Sequence, residues 1–238
     1  MKITSRIRLA NPGFTLIELL TVIAIIAILM GLLFPAVAAV KEAAKKTEAK
    51  NACVGIVAAI KNYYTEYGKY PPVTVTGKDG GKPPTTDVIV GDPACTKATT
   101  VNNVLFDVLR AIPRGVNASP QPNSLNPRKI IFFEGKAVSD ATAPRSGFLE
   151  KGGEATNLGC YFDPWGKQYN VIIDSNYDNL LDVDQVYDDA DWKSDGRPRA
   201  GVGAFSMGKD GLVGEIKQKL ENKYRDGQKT SDDIVSWQ

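Results

Sequence analysis

Gly13-Phe14-Thr15-Leu16-Ile17-Glu18 leads into a long apolar run near the start of the chain. From Phe14 to Val40 run 27 residues, and Glu18 is the only charged one among them. At about 1.5 Å of rise per helical residue, roughly 20 residues cross a bilayer core of about 30 Å, so this segment is long enough to span a membrane. Lys2, Arg6 and Arg8 precede it with no acidic residue among them. Basic flanks stay on the cytoplasmic side, which puts Met1 inside and the chain beyond Val40 outside. A carboxylate deep in lipid costs several kcal/mol unless it is paired; insertion scales give about 2.5–3.5 kcal/mol for a charged side chain at the centre. The sequence suggests no partner for Glu18 within the span. Cleavage after Gly13 would create one, the new α-amino group of Phe14, whose reference pKa of about 7.7–8.0 leaves it cationic near neutrality. The amine of a neighbouring copy could serve equally, so Glu18 reads as a device that selects processed subunits and sets their stagger.

These residues resemble the class III signal of type IV pilins and of type II secretion pseudopilins. The resemblance implies an α+β fold in which a long N-terminal membrane helix packs on a small antiparallel sheet with long variable loops. It also implies cleavage between Gly13 and Phe14 by an inner-membrane prepilin peptidase that N-methylates the new terminus. Residues 1–13 are then a removable basic leader, 14–68 the long helix with 14–40 as its membrane and assembly segment, 69–160 a variable region, and 161–238 a C-terminal sheet with Asp-rich loops.

The helix is expected to continue past the membrane, because Lys41 to Asn51 are good helix formers with a Glu42–Lys46 pair. Cys53, Ile56, Val57, Ile60, Tyr63, Tyr64 and Tyr67 then recur at spacings of three and four, a stripe suited to packing on a sheet. Gly68 ends it, and Pro71-Pro72 prevent a restart. Gly31 and Pro35 interrupt the apolar half, where a missing hydrogen bond predicts a kink or local melting, and the resemblance implies that the helix loosens there on assembly.

Between Val73 and Leu158 the chain is rich in Pro, Gly, Thr and Asn. Val101, Val104, Leu105, Val108, Leu109 and Ile112 form a helical stripe there, and Ile130-Ile131-Phe132-Phe133 reads as a short buried strand. Further on, Asp163-Pro164-Trp165-Gly166 matches a type I turn leading into a strand from Gln168 to Asp174. A second strand is expected from Val202 to Met207, closed by the turn Gly208-Lys209-Asp210-Gly211. The two turns, with Asp232-Asp233-Ile234 and Trp237, resemble the major, G-type pseudopilin of type II secretion. That resemblance implies a calcium ion held by Asp210, Asp232 and Asp233, although a charged stretch from Glu215 to Lys229 separates these aspartates. A weaker calcium pattern is Asp174, Asn176, Asp178 and Asp182, at positions one, three, five and nine of a calcium loop; position six is Asn179 rather than Gly, and position twelve is Gln185 rather than Glu. Eight aspartates against one lysine between Asp174 and Asp195 equally describe a solvated face.

Composition narrows the function. The chain has 238 residues and no histidine, which excludes His-based acid/base chemistry, a Ser-His-Asp triad and a His-Glu-x-x-His zinc site. No Gly-x-Ser-x-Gly or P-loop pattern occurs, and Gly201 to Ser206 reads as strand rather than as a dinucleotide loop. Removal of the leader leaves 26 basic residues against 27 acidic, so charge gives no sign of a nucleic-acid partner. Of the three cysteines, Cys53 lies on the long helix and reads as a buried small hydrophobe, which leaves Cys95 and Cys160 as the candidate disulfide in an oxidising compartment.

The resulting expectation is a non-catalytic subunit, anchored in the inner membrane with its C-terminal domain in the periplasm, that polymerises with itself and with other pseudopilins into a short pseudopilus for protein export. The resemblance implies a platform protein and an assembly ATPase as further partners. The alternatives are a subunit of a true type IV pilus or a membrane-anchored periplasmic domain.

Overall fold

The computed structural model describes residues 15–73, 86–95, 97–118, 125–187, 197–214 and 232–237. Its elements are a helix α1 (Leu16–Tyr67), a short helix α2 (Asn103–Leu109), and strands β1 (Val88–Val90), β2 (Gly147–Phe148), β3 (Tyr161–Phe162), β4 (Asn170–Ile173), β5 (Val202–Ser206) and β6 (Ile234–Val235). The fold is α+β: a long N-terminal helix and a small antiparallel sheet in the pilin-like manner. The expected leader, residues 1–13, and Phe14 lie outside the described residues.

By compactness the chain divides after Ala44. In the first unit α1 packs on none of the described residues: residues 15–41 are all exposed, with Leu16 at 81% and Phe34 at 70% of full exposure. Among the described residues α1 is the helix long and apolar enough to cross a membrane. So much contiguous apolar surface on a helix calls for lipid or for other helices. Gly31 and Pro35 do not end the helix, which runs through both. The two sit four residues apart, so proline removes the one bond that the Gly31 carbonyl would accept, and the neighbouring turns carry the helix across. The expected local melting is absent from this conformation.

In the second unit, from Lys45 onward, the stripe read from spacing is buried as expected. Ala49, Cys53, Ile56, Ala59, Ile60 and Tyr63 form the packed face, and Val57 and Tyr67 pack at its margin. Tyr64 is 39% exposed and instead sets its ring 4.7 Å from that of Tyr70. Gly68 closes the helix at φ +70°, donating its N–H to the Tyr64 carbonyl at 2.7 Å.

The main sheet has the order β1-β4-β5-β6, antiparallel throughout. Period-two alternation sorts its side chains. Val88, Val90, Val171, Ile173, Val202, Ala204 and Ile234 join the α1 stripe in one core. Ile89, Ile172, Phe205 and Val235 face the other way, into a second core with Leu181, Val183, Tyr187 and Met207. Both faces are therefore covered, which explains why the strands read as continuous apolar runs. Gly203 is required here, because a Cβ would lie 2.7 Å from Trp237 and 2.9 Å from Leu181.

Two expectations for the 69–160 region change. Ile130–Phe133 is not a strand: Ile131 is 57% exposed, and the run docks on the end of α2, with Phe132 and Phe133 donating N–H to the Leu109 carbonyl at 2.8 and 3.3 Å. The region also supplies β1, an edge strand of the main sheet, so the sheet is not confined to the C-terminal third. The helical stripe is α2, with Leu105, Phe106, Val108 and Leu109 buried.

The expected Cys95–Cys160 disulfide is corrected by the packing. All three cysteines are free and buried; Cys95 belongs to the core on the sheet face away from α1, and Cys160 to a separate cluster with Leu149 and Phe162. Burial pushes the Cys160 thiol up to about 12. Alkylation in denaturant without reductant is expected to label all three thiols by intact mass, whereas a bridge would leave one. Ile56→Ala is expected to lower the urea-unfolding stability of the detergent-solubilised chain by about 2–5 kcal/mol, with Val54→Ala, at an exposed position, within about 0.5 kcal/mol.

Candidate functional site

Glu18 has a partner that its isolation in the sequence concealed. Thr15 donates to its Oε2 twice, from the main-chain N–H at 2.8 Å and from the hydroxyl at 2.7 Å. In return the Glu18 N–H donates to Thr15 Oγ at 3.3 Å. Thr15 is the N-cap and Glu18 the third helical residue, so the pair is a capping box that satisfies two of the donors left over at a helix start. The expectation that nothing in the span could pair with Glu18 is therefore corrected: the Thr-x-x-Glu spacing itself supplies the partner. Thr21 is satisfied in the same turn, its hydroxyl donating to the Glu18 carbonyl at 3.0 Å. Gly13 and Phe14 lie outside the described residues. At Gly31 a Cβ would meet nothing within 4 Å, so its lack of a side chain is not needed by the single chain.

The two turns of the C-terminal third form one corner. Asp163 is buried and accepts three main-chain N–H groups on Oδ1, from Trp165, Gly166 and Lys167 at 2.8–2.9 Å. Its Oδ2 accepts the Ser206 hydroxyl at 2.6 Å, and Ser206 Oγ accepts the Gly208 N–H at 3.2 Å. Burial raises the Asp163 carboxyl while these bonds pull it down. Asp232 Oδ2 takes the N–H groups of Lys209 at 2.6 Å and Asp210 at 3.1 Å, and Asp233 Oδ2 that of Gly214 at 2.9 Å. Asp210 Oδ1 accepts the Leu212 N–H at 2.9 Å. The expected set Asp210, Asp232 and Asp233 therefore gathers at one corner, each aspartate engaging main-chain amides. Among the described residues no group of three or more Cys, Asp or Glu side chains converges as a metal site.

The weaker set divides. Asp174 accepts the N–H groups of Asp178 and Asn179 at 3.2 and 2.9 Å, Asn176 that of Asp178 at 3.2 Å, and Asp178 that of Leu180 at 2.8 Å. Asp182, expected as the fourth ligand, is engaged elsewhere. Its Oδ1 pairs with Arg197 at 2.5 Å, and its Oδ2 accepts the Asp87 N–H at 3.1 Å. Asp87 returns the contact, accepting the Asp182 N–H on its own Oδ2 at 2.8 Å. Sequence reading missed this clasp, whose halves lie 95 residues apart. Burial pushes the Asp87 carboxyl up to about 7, the Asp182 amide opposes, and the charges of Asp182, Asp174 and Asp178 reinforce the rise.

Residues 8–34 match a family model described as the prokaryotic N-terminal methylation motif. No curated protein and no solved structure matches the chain. The match takes in Arg8, the Gly13–Phe14 junction, the capping box and the apolar helix as far as Phe34. It supports a pilin-like, prepilin-type subunit whose motif implies peptidase processing and pilus-like self-assembly.

The Asp87 clasp gives a pH signature. Folded Asp87 keeps its proton up to about 7, against about 3.9 in the unfolded chain, so its contribution is full below about 3.9 and is lost as pH rises through 7. Asp87→Asn, which cannot ionise, is therefore expected to gain stability relative to the native chain between pH 4 and pH 8 in urea melts. An unchanged difference across that range would contradict the assignment.

Proposed function

We propose that this chain is a structural subunit of a short periplasmic pseudopilus serving a type II secretion system. The observation that carries the reading is the methylation motif running directly into an unpacked apolar helix whose first turn holds the single carboxylate. The basic residues Lys2, Arg6 and Arg8 favour a cytoplasmic N-terminus and a periplasmic second unit. After cleavage at Gly13–Phe14 the apolar helices leave lipid for one another, and Glu18 pairs with the terminal amine of a neighbouring copy. Gly31 and Pro35 give that packed rod a weak point, since glycine disfavours helix and proline lacks the N–H. The second units, from Lys45 onward, form the outer shell. A platform protein and a cytoplasmic ATPase extend the rod, other pseudopilins complete it, and the chain itself catalyses nothing.

The choice of pseudopilus over true pilus is supported by the C-terminal corner, where the Asp-Pro-Trp-Gly and Ser-Met-Gly-Lys-Asp-Gly turns are tied through Asp163 and Ser206. Calcium belongs to the same proposal. Asp210, Asp232 and Asp233 would supply hard oxygen donors there and lock the last strand against β5.

In a host with both machineries, deletion of this chain is expected to strand exported proteins in the periplasm while surface pili persist. Loss of surface pili with export intact would replace the reading by that of a true pilus subunit. Chelation with EGTA is expected to lower the thermal midpoint and added calcium to restore it; an unchanged midpoint would remove calcium from the account.

A further inference from the structure

We propose that a pocket beside the start of β1, walled by Tyr70 and Tyr177, receives an arginine side chain of a partner protein. The cavity measures about 170 Å³ and lies wholly within the second unit. Buried Val73, Val88 and Ile173 line it together with the two rings. Val88 and Ile173 face each other as the first pair of β1 and β4, so the pocket sits at the end of that ladder.

The rings are in place before any ligand arrives. Tyr70 packs on the ring of Tyr177 at 5.6 Å, with 24° between their planes, and on that of Tyr64 at 4.7 Å. The Tyr70 N–H donates to the Tyr177 hydroxyl at 3.3 Å. Gly201 allows the close approach, since a Cβ there would overlap the Tyr70 hydroxyl. Tyr177 holds its position at a cost: its φ is +60°, in the left-handed region that bulky side chains rarely adopt. It remains 51% exposed, so burial offsets only part of that strain. The fold thus keeps a tyrosine ring half in water, stacked on a second ring at the mouth of a cavity.

The charge around the rings selects a cation. Val88 and Ile173 adjoin Asp87 and Asp174 in the chain, and Asp178 follows Tyr177. Among the described residues Asp174 and Asp178 are held by main-chain amides rather than by a cation, whereas Asp182 has Arg197. Burial chiefly, and next the charge of Asp174, raises the Tyr70 hydroxyl above its ordinary value, so negative potential reaches the ring. Lys69 also lines the pocket; it is exposed and brings a like charge that an arriving cation must overcome. Tyrosine faces attract cations, and of the two basic side chains the planar, weakly hydrated guanidinium of arginine stacks on them better. An aromatic wall with carboxylates behind it is complementary to that group in both shape and charge.

The test titrates the full chain, in a non-ionic detergent, with the peptide acetyl-Gly-Arg-Gly-amide and with its citrulline counterpart, which keeps the shape and lacks the charge. Ring resonances of ¹³C-labelled tyrosine report binding. The arginine peptide is expected to shift the Tyr70 and Tyr177 rings and to bind about tenfold more tightly than the citrulline peptide, with the difference shrinking as salt is added. Tyr177→Gly, which suits the left-handed backbone, is expected to keep the native thermal midpoint or raise it while losing the binding. Tyr177→Phe retains the ring and should retain the binding. Asp178→Asn keeps an acceptor for the Leu180 N–H, removes one charge, and is expected to weaken binding about threefold. Equal binding of the two peptides, or native affinity in Tyr177→Gly, would overturn the proposal, as would tyrosine rings that do not move with the arginine peptide.

Discussion

One helix must satisfy two surroundings, and this constraint governs the molecule. Over its first half α1 exposes apolar side chains on every face, and over its second half it buries a single stripe against the sheet. A single segment crosses lipid without unpaired N–H and C=O groups only as a helix, and here that helix continues unbroken into the core. The Thr15–Glu18 box is what this demand requires at the start of the helix, where the first N–H groups have no partner further back.

The same economy of donors shapes the far end of the chain. The last strand, β6, has two residues and cannot hold itself by ladder bonds alone. Lys50 of α1 donates to the Val235 carbonyl at 2.5 Å, and Ser236 exchanges bonds with Ala204 of β5 at 2.9 Å. Asp163, Ser206 and Asp232 convert the neighbouring turns into a network in which each carboxylate is satisfied by main-chain amides or a hydroxyl. Buried carboxylates persist when they are paired in this way, and removal of one partner leaves a buried charge uncompensated.

Much of this was legible from sequence where one local rule dominated. Helical spacing gave the α1 stripe and α2, glycine gave the end of α1, and turn chemistry gave the Asp163 and Gly208 turns. The two expected strands lie at Asn170–Ile173 and Val202–Ser206, close to the expected spans. What was not legible depends on partners distant in the chain. Strand β1 is three residues inside a Pro- and Gly-rich region and exists because β4 pairs with it. Ile130–Phe133 has strand composition but finds the end of α2 instead of a sheet edge. Cysteine pairing turned on which core each thiol would occupy, and Asp182 was drawn from the loop pattern by Arg197 and Asp87. At Glu18 the sequence held the answer in Thr15, and the strong charge-in-lipid reading obscured the weaker capping signal.

On the proposed function the chain enters the membrane as a precursor and is cut to expose the amine that pairs with Glu18. The most direct test of that step is intact-mass and N-terminal analysis of the membrane-extracted protein from cells with and without their prepilin peptidase. The account requires a chain starting at N-methylated Phe14 only where the peptidase is present. A chain that keeps Met1 to Gly13 in peptidase-competent cells would contradict it and leave α1 as a plain membrane anchor.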